Sequence, residues 1–240
     1  MQSASNSLEN RLGSCYASPM HRKTQLKGIV FDLDGTLVDS LATTFHAFNH
    51  AFETLGSPKR TPEQIMAHFG LGELQIFEKL VGSEHAAQAY QLAKEYLDQN
   101  LSRVPLHAGV GELLEQLRSL DVPLSIFTGR GWETTEIILR HHGLLDRFVT
   151  IIAHEHVSAP KPSPEGLQLA LTRMNLQPQE VLFIGDSSVD VLAAQGAGSP
   201  SVAALWDWIA EKKTLQAYHP DHWAYEPQDV LRILKNEVPL

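Results

Sequence analysis

Five short apolar runs, at residues 28–31, 123–127, 148–153, 181–184 and 201–205, alternate with stretches of helical length at 110–119, 132–142, 164–174 and 189–196. No other feature limits the fold so tightly. Continuous apolar runs bounded by turn-forming residues read as strands buried on both faces. Strands alternating with amphipathic helices need crossovers, and crossovers lay the strands parallel with helices on either side. The expected fold class is α/β, a doubly wound parallel sheet.

One interval breaks the alternation. Residues 41–101 carry helical patterning at 43–55, 62–69, 73–81 and 84–101, and no strand-like run. This predicts an all-helical insert of four or five helices after the first strand, returning to the core near Pro105-Leu106-His107-Ala108-Gly109. The expected domains are an α/β core over 25–39 and 106–240 and a helical cap over 40–105. Residues 1–24, rich in Ser and Asn, read as a flexible tail, with Met20 an alternative beginning. A transit peptide is the rival reading, from Arg11, Arg22 and Lys23; Glu9 and the lack of a clear amphipathic helix oppose it.

Charge narrows the partners. A formal net charge of −9 argues against a nucleic-acid backbone or an anionic membrane surface. A small anionic substrate stays open, because a metal ion and a few local cations can reverse the field within a pocket. The single cysteine, Cys15, rules out an intramolecular disulfide and a cysteine-based zinc cluster, which makes a reducing cytoplasm the expected location. The expected state is monomer or homodimer, and the expected partner a small phosphorylated metabolite.

Polar clusters stand where three of the expected strands end. The first delivers Asp32-Leu33-Asp34-Gly35-Thr36, the second Thr128-Gly129-Arg130, the fourth Gly185-Asp186, with Asp190 one turn into the next helix. In an open parallel sheet the carboxyl ends of the strands form the ligand crevice, so these clusters converge. Lys161 lies in the loop Pro160-Lys161-Pro162-Ser163-Pro164. The inventory suits phosphoryl transfer, which needs an in-line nucleophile, a divalent cation and donors around the phosphoryl oxygens. Asp is an established nucleophile for phosphorus, and Mg2+ prefers carboxylate oxygens, which fits Asp32 and Asp186. Asp34 is spaced to protonate a leaving oxygen and later to activate water. For Asp190 a helix-capping role competes with a functional one.

These residues also carry a family resemblance. Asp32-Leu33-Asp34-Gly35-Thr36-Leu37, Phe127-Thr128-Gly129-Arg130, Lys161-Pro162-Ser163-Pro164 and Gly185-Asp186-Ser187-Ser188-Val189-Asp190 resemble, in order and spacing, the four motifs of the haloacid dehalogenase superfamily. The helical insert resembles the cap of its phosphoglycolate phosphatase-like branch. The resemblance implies Asp32 as nucleophile and metal ligand, and Asp34 as acid/base and metal ligand through its carbonyl. It implies Thr128, the Gly129 amide and Lys161 as the phosphate cradle, Asp186 as metal ligand, and Asp190 orienting Lys161 or a metal-bound water. The activity implied is Mg2+-dependent hydrolysis of a small phosphomonoester through an aspartyl-phosphate. A sugar-phosphate mutase and a catalytically silent phosphate-binding protein are the alternatives. Many relatives carry Asn-Lys where this chain has Gly129-Arg130, which leaves Arg130 an unassigned cation near the pocket.

Substrate contacts are expected from Arg130 and, as the resemblance implies, from the glycine-flanked cap turn His68-Phe69-Gly70-Leu71-Gly72-Glu73, through His68 and Gly70. Residues 40–105 hold five Lys or Arg against seven Asp or Glu, which predicts a preference for neutral leaving groups. His46 and His50 have zinc-pair spacing but no third ligand, so a polar cap face is expected of them. Trp206, Trp208 and Trp223 are expected to pack in the core, Trp206 also being placed to line the crevice.

Overall fold

A computed structural model of the chain describes residues 25–235, so Cys15 and the expected tail lie outside the described residues. Six strands form one parallel sheet: β1 (Gly28–Phe31), β2 (Leu124–Phe127), β3 (Thr150–Ile152), β4 (Val181–Gly185), β5 (Ser201–Ala204) and β6 (His222–Ala224). Their order is β3-β2-β1-β4-β5-β6. The chain winds outward one way from β1 to β3, crosses back to β4, and winds outward the other way. The strand order therefore reverses between β1 and β4, where a doubly wound sheet opens a crevice at its carboxyl edge.

Alternation along the strands divides the interior in two. Ile29, Phe31, Ile126 and Ile184 meet Leu113, Leu117 and Ile138 on one face, while Val30, Phe127 and Phe183 meet Leu167, Leu171 and Ala194 on the other. The expected strands at 28–31 through 201–205 are present. β6 is an addition, three residues long at the sheet edge.

Between β1 and β2 come α1 (Leu41–Thr54), α2 (Pro62–Met66), α3 (Glu73–Val81), α4 (Ser83–Gln99) and α5 (Val110–Ser119). Helices α1 to α4 bury a hydrophobic cluster of their own, with Phe48 stacked on Phe77 at 4.4 Å. Two adjacent chain segments join it to the sheet: Asp39 donates its N–H to Pro105 O at 2.9 Å, and His107 donates to Leu37 O at 3.1 Å. The helix expected over 62–69 stops at Met66. The chain then turns through Gly70, whose φ of +102° suits glycine, and leaves Phe69 46% exposed.

Past β2 follow α6 (Trp132–His141), α7 (Glu165–Met174), α8 (Ser188–Ala197), α9 (Lys212–Leu215) and α10 (Asp229–Leu234). Trp208, expected in the core, is 66% exposed, because the chain has left β5 by Leu205. Among the described residues no helix is long and apolar enough to cross a membrane.

Candidate active site

The crevice is built by three adjacent strands. Asp32 follows the last residue of β1, Thr128 the last of β2, and Asp186 the last of β4. Asp32 is held in register by its N–H bond to Ile184 O at 2.8 Å, while its carboxylate accepts the Leu33 N–H at 2.7 Å. Gly35 permits the sharp turn that follows: its φ is +76°, and a Cβ there would lie 2.5 Å from an Asp186 oxygen.

Lys161 supplies the central cation. Its Nζ lies 2.9 Å from Asp32 and 2.6 Å from Asp190, and stands over the rings of Phe127 and Phe183 at 5.5 and 5.9 Å from their centroids. Asp190 also accepts the backbone N–H of Ser187 at 3.1 Å and its hydroxyl at 2.5 Å. It thus combines the two readings open from the sequence, closing the first turn of α8 and fixing Lys161.

Three carboxylates face this one ammonium. Oxygens of Asp32, Asp186 and Asp190 lie within 4.8 Å of one another, and all three residues are buried, 7%, 7% and 2% exposed. Burial pushes the Asp32 carboxyl up to about 7, with Lys161 pulling against it and Asp190 adding to it. Burial, then Asp190 and Asp32, lift Asp186 well above the carboxylate range. Lys161 is held above its usual range, since Asp190 and Asp32 outweigh its desolvation. Asp186 accepts one long hydrogen bond among the described residues, from Thr36 Oγ1 at 3.5 Å. A buried excess of hard oxygen donors fits a divalent cation, and Asp32 and Asp186 have the less committed oxygens.

Asp34 has a different partner. Arg130 grips it side-on, Nε at 2.9 Å from one oxygen and Nη2 at 2.8 Å from the other, and the Ser40 hydroxyl donates to it as well. Burial alone would raise Asp34, but Arg130 and Ser40 outweigh it and hold the carboxyl below its usual range. Ser40 stands at the position that would cap α1, yet its hydroxyl goes to Asp34. Thr128 is buried and its hydroxyl accepts the Arg130 N–H at 3.1 Å, while the exposed Gly129 has open space at its Cα.

Arg130, left unassigned from the sequence, is thus engaged by several partners. Thr44 accepts from its Nη2 at 2.8 Å, and Glu73 sits 3.4 Å from its Nη1. His68 and Gly70, expected to reach substrate, make no hydrogen bond to these residues; Gly70 is exposed and meets nothing within 4 Å of an added Cβ. The helical segment reaches Arg130 through Glu73 and Thr44. Thr44 carries no sequence signal beyond its place at the start of a helix, while Glu73 ends the glycine-flanked turn at 68–73 that was expected to approach the site. His50 packs on Tyr96 at 5.0 Å, and no second cluster of metal-ligating residues occurs among the described residues. Trp206 donates its indole N–H to Thr36 O at 2.9 Å, bracing the loop that bears both aspartates.

A sheet of this order, with a helical excursion after its first strand and four aspartates at its switch point, defines an aspartate-centred class of α/β proteins. The haloacid dehalogenase-like hydrolase family model matches residues 29–204, and the chain belongs to that family. It is 32% identical over 201 residues to a phosphoglycolate phosphatase of Chromobacterium violaceum, covering 80% of this chain and 90% of that one. To the pyrophosphatase PpaX of Bacillus velezensis it is 27% identical, covering 87% and 96%. A crystal structure of a predicted phosphoglycolate phosphatase from Haemophilus somnus 129PT superimposes with a TM-score of 0.77 at 25% identity, covering 88% of this chain and 98% of that one.

Proposed function

We propose that the chain is a Mg2+-dependent phosphatase that hydrolyses a small phosphomonoester through an aspartyl-phosphate on Asp32. The observation that carries this reading is Asp32 at the carboxyl end of β1, 2.9 Å from Lys161 and two residues from a second buried-site carboxylate, Asp34. The names of the curated relatives, phosphatases and pyrophosphatases, support the same class.

Lys161 orients the Asp32 carboxylate and, with Thr128 and the Gly129 amide, forms the phosphate cradle. In the first step an Asp32 oxygen bonds to phosphorus, the P–O ester bond breaks, and the leaving oxygen takes a proton from Asp34. In the second, Asp34 removes a proton from water as the water oxygen bonds to phosphorus, and Asp32 is released with inorganic phosphate. Asp32 and Asp186 would hold Mg2+, with the Asp34 carbonyl completing the set; when bound, the ion supplies positive charge to the phosphoryl oxygens.

Arg130 favours the ionised form of Asp34, which suits the water-activating stage. In the acid stage Asp34 gives up part of that grip to the leaving oxygen. We assign residues 40–105 as a cap that excludes bulk water from the first step. A cytoplasmic location accords with the single cysteine.

The test is phosphate release from a panel of phosphate esters by purified protein with Mg2+. Turnover that disappears on chelation and returns with Mg2+ but not Ca2+ supports the reading; full activity after exhaustive chelation removes the metal from it.

A further inference from the structure

The nitrogens of Arg130 are divided between two domains' worth of carboxylate. Nε and Nη2 hold Asp34 from within the core, and Nη1 faces Glu73 at 3.4 Å. Glu73 comes from the first turn of α3, and its other oxygen accepts the Thr134 hydroxyl at 2.7 Å, at the start of α6. It is therefore fixed by two groups of the core, both buried, although it belongs to the helical segment.

We infer that Glu73 is a specificity-determining residue, withholding Nη1 of Arg130 from leaving groups that carry a carboxylate or a second phosphate and so favouring neutral ones. The inference rests on the phosphatase reading above. A leaving oxygen that takes its proton from Asp34 must come within about 2.6–3.2 Å of that carboxylate. The rest of the leaving group then passes beside Arg130, the cation bound to it. Two carboxylates already share that guanidinium, so an added anion meets an excess of negative charge in a partly desolvated site, where an unpaired charge is costly. The neighbouring cations are committed too: Lys161 to Asp32 and Asp190, and Lys94, which lines the same small cavity as Glu73, to Glu133 at 2.5 Å. Because relatives carry the name phosphoglycolate phosphatase, phosphoglycolate is the sharpest probe of this inference.

The experiment compares kcat/KM for phosphoglycolate and for glycerol phosphate, with Mg2+, in the wild-type protein and in E73Q, E73Q/R130Q and T134V. The wild type should prefer glycerol phosphate. E73Q should raise the phosphoglycolate-to-glycerol phosphate ratio at least tenfold, the double variant should lose that gain, and T134V, which frees Glu73 without removing its charge, should not show it. An unchanged ratio in folded E73Q, or an equal gain in T134V, overturns the inference. The wild-type arm needs no variant: phosphoglycolate ahead by tenfold or more overturns it as well. Failure of the underlying phosphatase reading looks different, since the wild type would then hydrolyse neither ester.

Discussion

The ammonium of Lys161 stands 2.9 Å from Asp32, inside a shell of carboxylates that outnumber it. Its removal leaves those carboxylates without a fixed partner. Lys161→Met should destabilise the fold by about 3 kcal/mol, the cost typical of breaking a buried ion pair from one side. It should also make the protein more responsive to Mg2+, because a divalent cation then neutralises the site alone. Thermal melts with and without Mg2+ check both; an equal Mg2+ shift in wild type and variant contradicts the charge balance described.

Gly35 ties backbone conformation to this chemistry. Its φ of +76° disfavours an L side chain, and an added Cβ would press on Asp186. Gly35→Ala should cost about 1 kcal/mol or more in stability and lower kcat by at least tenfold, as Asp186 is displaced. Denaturant titration and steady-state rates read the two effects, and an Ala variant with wild-type kcat would show that the turn tolerates the shift.

Asp34 is assigned to protonate the leaving oxygen, so its loss should hurt most where that oxygen leaves poorly. Asp34→Asn should reduce kcat/KM for glycerol phosphate by about 10²-fold or more, the usual weight of general acid catalysis. For p-nitrophenyl phosphate, whose phenolate departs without a proton, the reduction should be much smaller. Equal losses in kcat/KM on both esters would contradict Asp34 as the acid that protonates the leaving oxygen.

How much of this was legible from residues alone follows from their surroundings. Strands β1 and β4 are continuous apolar runs cut off by a polar residue or Gly, and β2 and β5 are mostly apolar short runs between helical stretches. β6 was not legible: His222-Trp223-Ala224 is short, only its alanine is fully buried, and a sheet edge imposes little pattern. Asp32, Asp34, Lys161 and Asp186 stood out because each ends a strand or sits in a motif loop. Ser40, Thr44 and Thr134 did not, and Glu73 was visible only as the end of the glycine-flanked cap turn at 68–73. At the start of a helix Glu, Ser and Thr are ordinary choices for capping and for the dipole, so their sequence positions suggest solvent or caps. Only the folding of α3 and α1 against the core brings Glu73 and Thr44 to Arg130. Arg130 itself was visible as an unassigned cation, but its partners, 96 and 57 positions away, were not.

Without divalent cation, the raised carboxyl of Asp32 makes stability depend on pH. Its folded pKa of about 7 exceeds the usual 3.8, so the folded state binds the extra proton between those values. Stability from this group is full below about 3.8 and is lost as pH rises through 7, a span worth roughly 4 kcal/mol. Asp32→Asn has no such proton to lose. In chelator, its stability should gain on the wild type as pH rises from 4 to 7; a constant difference across that range would contradict the burial of an excess of carboxylate.

The same substitution tests the nucleophile most directly. Asn is nearly isosteric with Asp but is a poor nucleophile and a weak ligand for a hard cation, so Asp32→Asn should fold as the wild type does and fail in turnover. Steady-state hydrolysis of the best ester from the panel, at saturating substrate and Mg2+, should fall by at least about 10³-fold. A clean, folded Asp32→Asn preparation that still hydrolyses the ester within tenfold of the wild-type rate would contradict the assignment of Asp32 as the group that attacks phosphorus.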